Sequence, residues 1–162
     1  MGIRSFIKRK VDQKLGSSTP TPAAVEKDNR PLPLGKDAEG FIAVLRETDL
    51  AVGKGRTVAV SNTPVAVFHL QSGFFAIDDA CTHEDAPLGE GEIKNGRVLC
   101  PYHDWVFNIT TGECETDPSR PVGCFATKVH DGFVWVGART TEGTHLRGGD
   151  HADGLNTSEH AS

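Results

Sequence analysis

Between residues 41 and 136 short apolar runs alternate with turn residues. Residues 41–45, 57–60, 65–70 and 74–78 are rich in Val, Ile, Phe and Ala and too short for stable helices, so they read as strands. Gly53-Lys54-Gly55 and Asn62-Thr63-Pro64 mark turns, and Gln71-Ser72-Gly73 joins two of the runs as a hairpin. Asn95-Gly96 predicts another hairpin leading into residues 97–99. A short strand follows at 105–108, a turn at Thr111-Gly112 and a loop from Pro118 to Pro121. Residues 125–130 and 133–136 form a last hairpin across Asp131-Gly132. No long amphipathic stretch interrupts the series. The expected class is all-β, built of small antiparallel sheets.

The ends follow different rules. In residues 1–15 Ile3, Phe6, Ile7, Val11 and Leu15 recur at near-helical spacing, with Arg4, Lys8, Arg9, Lys10 and Lys14 set against Asp12 alone. Such a segment is either a surface binder, for an anionic membrane or an acidic partner protein, or a solvated terminus. Lys10 and Lys14 intrude on the apolar arc and weigh toward the terminus. Residues 16–40 hold Pro20, Pro22, Pro31 and Pro33 among small and charged residues and read as a linker. From residue 139 the chain is polar, rich in Gly, Asp and Ser, and reads as a disordered tail. The expected organisation is a basic segment and linker over 1–40, one domain over 41–138 and a tail over 139–162.

Net charge is −5 over 162 residues, which speaks against a nucleic-acid-binding face. No apolar run has the length of a transmembrane helix. An apolar secretory core and a twin-arginine motif are both missing, so a cytoplasmic setting is expected, with Cys114 and Cys124 as reduced thiols. Cys124, in a strand-like run, is expected in the core, and Cys114, near a turn, partly exposed. His69 and His130 fall within strands and read as surface or packing residues. Ser61, Ser119 and the scattered Asp and Glu read as turn and surface residues, since no nucleophile–base set and hence no substrate site is apparent.

The chemistry concentrates between residues 81 and 103. Cys81-x-His83 and Cys100-x-x-His103 stand sixteen residues apart, each pair offering one thiolate and one imidazole. Thiolate selects zinc, copper(I) or iron–sulfur. Zinc sites space paired ligands by about two to five residues, which a C-x-H pair fits poorly. Pro87-Leu88-Gly89-x-Gly91 follows the first pair; Pro101, Trp105-x-Phe107 and Thr111-Gly112 surround the second.

With these flanks the stretch from about residue 41 to 136 resembles the Rieske family. The resemblance implies a Rieske-like fold with two cluster-binding loops and one [2Fe–2S] cluster, held by Cys81 and Cys100 on one iron and His83 and His103 on the other. Such centres span roughly −150 to +300 mV, against about −400 mV for all-cysteine plant-type ferredoxins. High-potential members carry an extra Cys in each loop, forming a disulfide, and a Ser and a Tyr after the second pair that donate to sulfur. Here Glu84, Asp85 and Ala86 follow His83, Pro101 and Tyr102 lie between Cys100 and His103, and Asp104 to Phe107 bring no hydroxyl. Glu84, Asp85 and Asp104 add negative charge, so a low potential is expected.

The resemblance implies a ferredoxin component passing single electrons from a reductase to an oxygenase. An alternative is the small subunit of an NAD(P)H-dependent nitrite reductase, partnered by its large subunit. A third reading is a non-redox structural module, or a sensor of redox state or iron. In the redox readings His83 and His103 form the electron port, Pro87 and Trp105 shield or contact it, and the acidic loop residues favour a basic docking face on the partner.

Overall fold

The computed structural model describes residues 29–144; the expectations for residues 1–28 and for 145–162 lie outside the described residues. Among the described residues nine strands form two antiparallel sheets. The larger orders β1 (Ile42–Arg46), β9 (Phe133–Thr141), β8 (Cys124–His130), β4 (Gly73–Asp78), β3 (Thr63–Leu70) and β2 (Lys54–Val60) side by side in that sequence. The smaller orders β5 (Glu92–Lys94), β6 (Arg97–Leu99) and β7 (Val106–Asn108). All-β architecture follows, as the short runs and turn residues indicate.

Strand β3 explains how the sheet is covered twice. Val65, Ala66, Val67 and Phe68 are all fully buried. Alternation sends Val65 and Val67 to one face, with Leu45, Leu50, Val134 and Val136. Ala66 and Phe68 go to the other, with Leu88, Val98, Phe107 and Ile109. This second core also contains Cys81 and Cys100, so the small sheet and the loops that open at these cysteines are fastened to the large sheet by apolar burial.

Two-residue turns set the register. Ser61-Asn62, Asn95-Gly96 and Asp131-Gly132 all have positive φ at both positions, the primed-turn geometry that matches strand twist. The first differs from the expected Asn62-Thr63-Pro64 turn: Pro64 lies inside β3, paired with Ala59.

Both domain edges lie further out than composition suggests. Residues 29–40, read as linker, hold to the sheet at several points. Arg30 donates to the Asp131 carbonyl at 2.7 Å and lies 5.0 Å over the Phe133 ring. Arg46 donates to the Arg30 carbonyl. Lys128 Nζ bridges Asp37 at 2.6 Å and Glu39 at 2.7 Å while standing 4.4 Å over Phe41. At the other end β9 runs through Arg139 to Thr141, residues read as tail. Their polarity misled because they are fixed by specific polar partners, described below, and not by an apolar face.

Candidate metal centre

Strand β4 ends three residues before Cys81, and β6 ends immediately before Cys100. The two loops that follow share one backbone pattern. The Cys81 N–H donates to the Ala86 carbonyl at 2.9 Å, and the Asp85 N–H returns to the Cys81 carbonyl at 2.9 Å. The Cys100 N–H donates to the Trp105 carbonyl at 2.8 Å, and the Asp104 N–H returns to the Cys100 carbonyl at 3.1 Å. Asp85 and Asp104 occupy the same point in each turn, with φ of 53° and 56°. Histidine comes second after cysteine in one loop and third in the other.

The four predicted residues come together as two pairs, one of cysteines and one of histidines. Cys81 and Cys100 are 1% and 2% exposed, and their side chains interact with one another. His83 and His103 are exposed, with ring centroids 4.9 Å apart at a near-perpendicular 85°. Trp105 stacks on His83 at 4.7 Å, and Glu84 Oε2 lies 3.5 Å from His103 Nδ1. Burial pushes the Cys81 thiol up to about 11; a hydrogen bond from the His83 N–H works against this, and the neighbouring Cys100 thiol adds to it. A metal taken up at this thiol would displace its proton. Buried sulfurs behind exposed imidazoles fit a centre with a thiolate end and a histidine end.

Further residues position these loops. Asp79, 5% exposed, accepts from Thr57 Oγ1 at 2.8 Å and from the Gly89 N–H at 2.9 Å. Its own carbonyl accepts from the Leu88 N–H at 2.6 Å, closing the return of the first loop onto β2. Gly89 is needed there, since an added Cβ would lie 2.6 Å from the Thr57 nitrogen. The loop of residues 117–123 supplies a third side. Thr82 Oγ1 donates to the Arg120 carbonyl at 2.9 Å, and the Arg120 guanidinium lies 5.9 Å from the Trp105 ring centroid.

Three expectations need correction. Asp78 and Asp79 are not surface or turn residues; at 6% and 5% exposure they are buried and paired. Their hidden position is legible only as their place at the end of an apolar run. Cys114 is 2% exposed, covered within the core that also holds Cys81 and Cys100, and its sulfur accepts from the Asp117 N–H at 3.3 Å. Trp105 precedes β7 and is not part of it. Cys124 is buried as expected, and burial raises its thiol pKa; no two of the four cysteines are joined in a disulfide. His69 packs on Phe74 at 4.0 Å, with Nδ1 2.6 Å from the Leu50 carbonyl oxygen, and His130 is exposed beside Asp131. Neither belongs to the site.

Fold and site together define a small all-β iron–sulfur protein. The chain belongs to the Rieske [2Fe-2S] domain family, whose description matches residues 40–126, and it carries one such cluster. It is 35% identical over 98 residues to Ferredoxin CarAc of Metapseudomonas resinovorans, an alignment spanning 59% of this chain and 92% of that one. Among solved structures it is similar to a chain in the complex of reduced oxygenase and oxidized ferredoxin in carbazole 1,9a-dioxygenase. That match has a TM-score of 0.56 and 33% identity, covering 61% of this chain and 94% of the other. A chain assigned as an NADH-dependent nitrite reductase small subunit from Mycobacterium tuberculosis shares the fold, with TM-score 0.58 and 22% identity over 63% and 97% of the two chains.

Proposed function

We propose that Cys81, His83, Cys100 and His103 hold the cluster and that the chain is a ferredoxin component carrying single electrons between a reductase and an oxygenase. The observation that supports this best is the buried thiol pair behind an exposed imidazole pair. When bound, such a cluster accepts and releases one electron at a time. The thiols anchor it away from water, and the two histidine rings bring its outer end to the surface. Trp105 covers one face of His83 and limits water there. No substrate pocket is required of this chain.

A low potential is part of the reading. Asp104, Trp105, Val106 and Phe107 bring no hydroxyl donor, and Thr82 Oγ1 is engaged with the Arg120 carbonyl. Glu84, Asp85 and Asp104 are exposed beside the histidines and disfavour added negative charge. The same carboxylates suit a partner with a basic docking face. A cytoplasmic setting is proposed from Cys114 and Cys124, which are not joined in a disulfide; among the described residues no helix is long and apolar enough to cross a membrane.

The ferredoxin reading is favoured over a nitrite reductase small subunit by the 35% identity that runs along 92% of a ferredoxin, against a likeness of fold alone. EPR of the dithionite-reduced chain tests the assignment. A mixed histidine–cysteine [2Fe–2S] signal, lost in His83→Ala and His103→Ala, supports it. A silent spectrum with bound zinc overturns it and leaves a structural module.

A further inference from the structure

Asp78 and Arg139 form a doubly hydrogen-bonded ion pair 61 residues apart in sequence. Arg139 Nη1 reaches Asp78 Oδ2 at 2.8 Å and Nη2 reaches Oδ1 at 2.6 Å. Both side chains are largely withdrawn from solvent, at 17% and 9% exposure. The pair also grips a loop. The Gly123 N–H donates to Asp78 Oδ2 at 2.6 Å, and the Asp78 N–H donates to the Gly123 carbonyl at 2.8 Å. The fit leaves no room, since a Cβ on Gly123 would lie 1.8 Å from Arg139 Nη1.

The segment carrying Arg139 makes two more holds on the same loop. Thr141 Oγ1 accepts from the Cys124 N–H at 2.9 Å. The Thr144 N–H and Oγ1 both donate to the Pro121 carbonyl, at 2.9 and 2.8 Å. One residue further back Arg120 accepts from Thr82, which stands between the proposed ligands Cys81 and His83, and its guanidinium faces Trp105. Arg139, Thr141 and Thr144 all lie beyond the residues matched by the family description, which end at 126.

We propose that the Asp78–Arg139 pair, with Thr144, is a clamp that positions the metal centre, holding residues 117–123 against the first ligand loop so that Trp105 stays stacked on His83. The inference rests on the ligand assignment above. Its chemistry favours arginine specifically. A planar guanidinium satisfies both carboxylate oxygens at once, whereas an ammonium supplies charge without the paired geometry. Arg139 and Asp78 are positioning residues, since neither contacts the histidines.

The test uses Arg139→Lys and Thr144→Val in the full, cluster-loaded chain, read by hydrogen exchange, cluster lifetime and midpoint potential. Arg139→Lys keeps the charge and the core. It is expected to speed exchange at the Arg120 and Val122 amides while leaving β3 unchanged, to shorten the cluster lifetime about tenfold, and to shift the midpoint. Thr144→Val, at the outer end of the clamp, leaves the buried pair intact and is expected to give the same changes on a smaller scale, which keeps the test open if the lysine variant misfolds. Native exchange at 117–123 with native cluster lifetime and midpoint in both variants overturns the clamp. A native chain without the mixed-ligand EPR signal overturns the ligand assignment instead, independently of the exchange result.

Discussion

Asp85 and Asp104 are structural equivalents: each lies four residues after its cysteine, returns its N–H to that cysteine's carbonyl, and adopts a left-handed φ. Left-handed backbone disfavours side chains, although Asp tolerates it better than most residues. Each position therefore sets a carboxylate beside the histidine edge at some conformational cost. Replacing either Asp by Gly should leave stability within about 1 kcal/mol of native, because relief of the φ penalty offsets glycine's greater entropy loss. It should also raise the midpoint potential by removing a negative charge. Chemical denaturation and redox titration check the two parts. A lowered potential in both variants would refute the electrostatic account.

Trp105 predicts a graded series. Its stacking on His83 should survive in Trp105→Phe and vanish in Trp105→Ala. Loss of an aromatic contact of this kind costs about 0.5–1.5 kcal/mol beyond area. The alanine variant should lose its cluster faster in air, followed by visible absorbance, with phenylalanine in between. Equal lifetimes across the series would show that the ring is not a shield.

Gly89 answers to a packing test. An alanine Cβ there meets the Thr57 nitrogen and hydroxyl at 2.6 and 2.7 Å, in the space where Asp79 accepts from Gly89. Gly89→Ala should destabilise the chain by about 1–3 kcal/mol, the range for an overfilled site, measured as a shift in denaturant midpoint at constant slope.

The hold on residues 36–41 should depend on pH in a definite direction. Hydrogen bonding to Lys128 lowers the Asp37 carboxyl from its ordinary 3.8. That contribution is present above pH 3.8 and is lost as pH falls through the lower folded value. The Asp37 and Glu39 carboxylates raise Lys128 from 10.5, so its contribution is present below pH 10.5 and is lost as pH rises through the higher folded value. Protection of the Phe41 amide, which donates to Asp37 Oδ1 at 2.8 Å, should be steady through neutrality and fall in strong acid. Lys128→Met should weaken it across the range between these two limits, where both groups are charged. Exchange measured by NMR decides the matter.

Docking can be examined through Glu84→Lys and Asp85→Lys. Electron transfer to a basic partner should slow, and the difference from native should shrink as salt rises. Identical rates at low salt would rule out these residues as docking contacts.

Much of this was legible before any coordinates. Strand order along the chain, the hairpin turns and the four proposed ligands follow from short apolar runs, Asn-Gly and Asp-Gly pairs, and the spacing of Cys81, His83, Cys100 and His103. What escaped were residues whose role depends on a distant partner. Asp79 needs Thr57 and Gly89 to be understood, and Arg139 needs Asp78. Periodicity reports which side of a strand faces the core; it does not report which charged group has a buried counterpart. Residues 36–40 were missed likewise, because Lys128 secures them from another strand.

The attachment of Arg30 to the Asp131 carbonyl gives the molecule a polarity. At one end of β8 Cys124 pairs with Ile77, close to where β4 hands over to the first ligand loop; at the other end stands the Asp131-Gly132 turn. Six residues of extended chain separate these levels, about 20 Å. Arg30 thus joins the sheet at the end of β8 opposite the one beside which β4 hands over to the loop that opens at Cys81. An electrode or bead coupled at the Asp131-Gly132 turn would leave the opposite end of β8, and with it the loop that opens at Cys81, open to partners in solution.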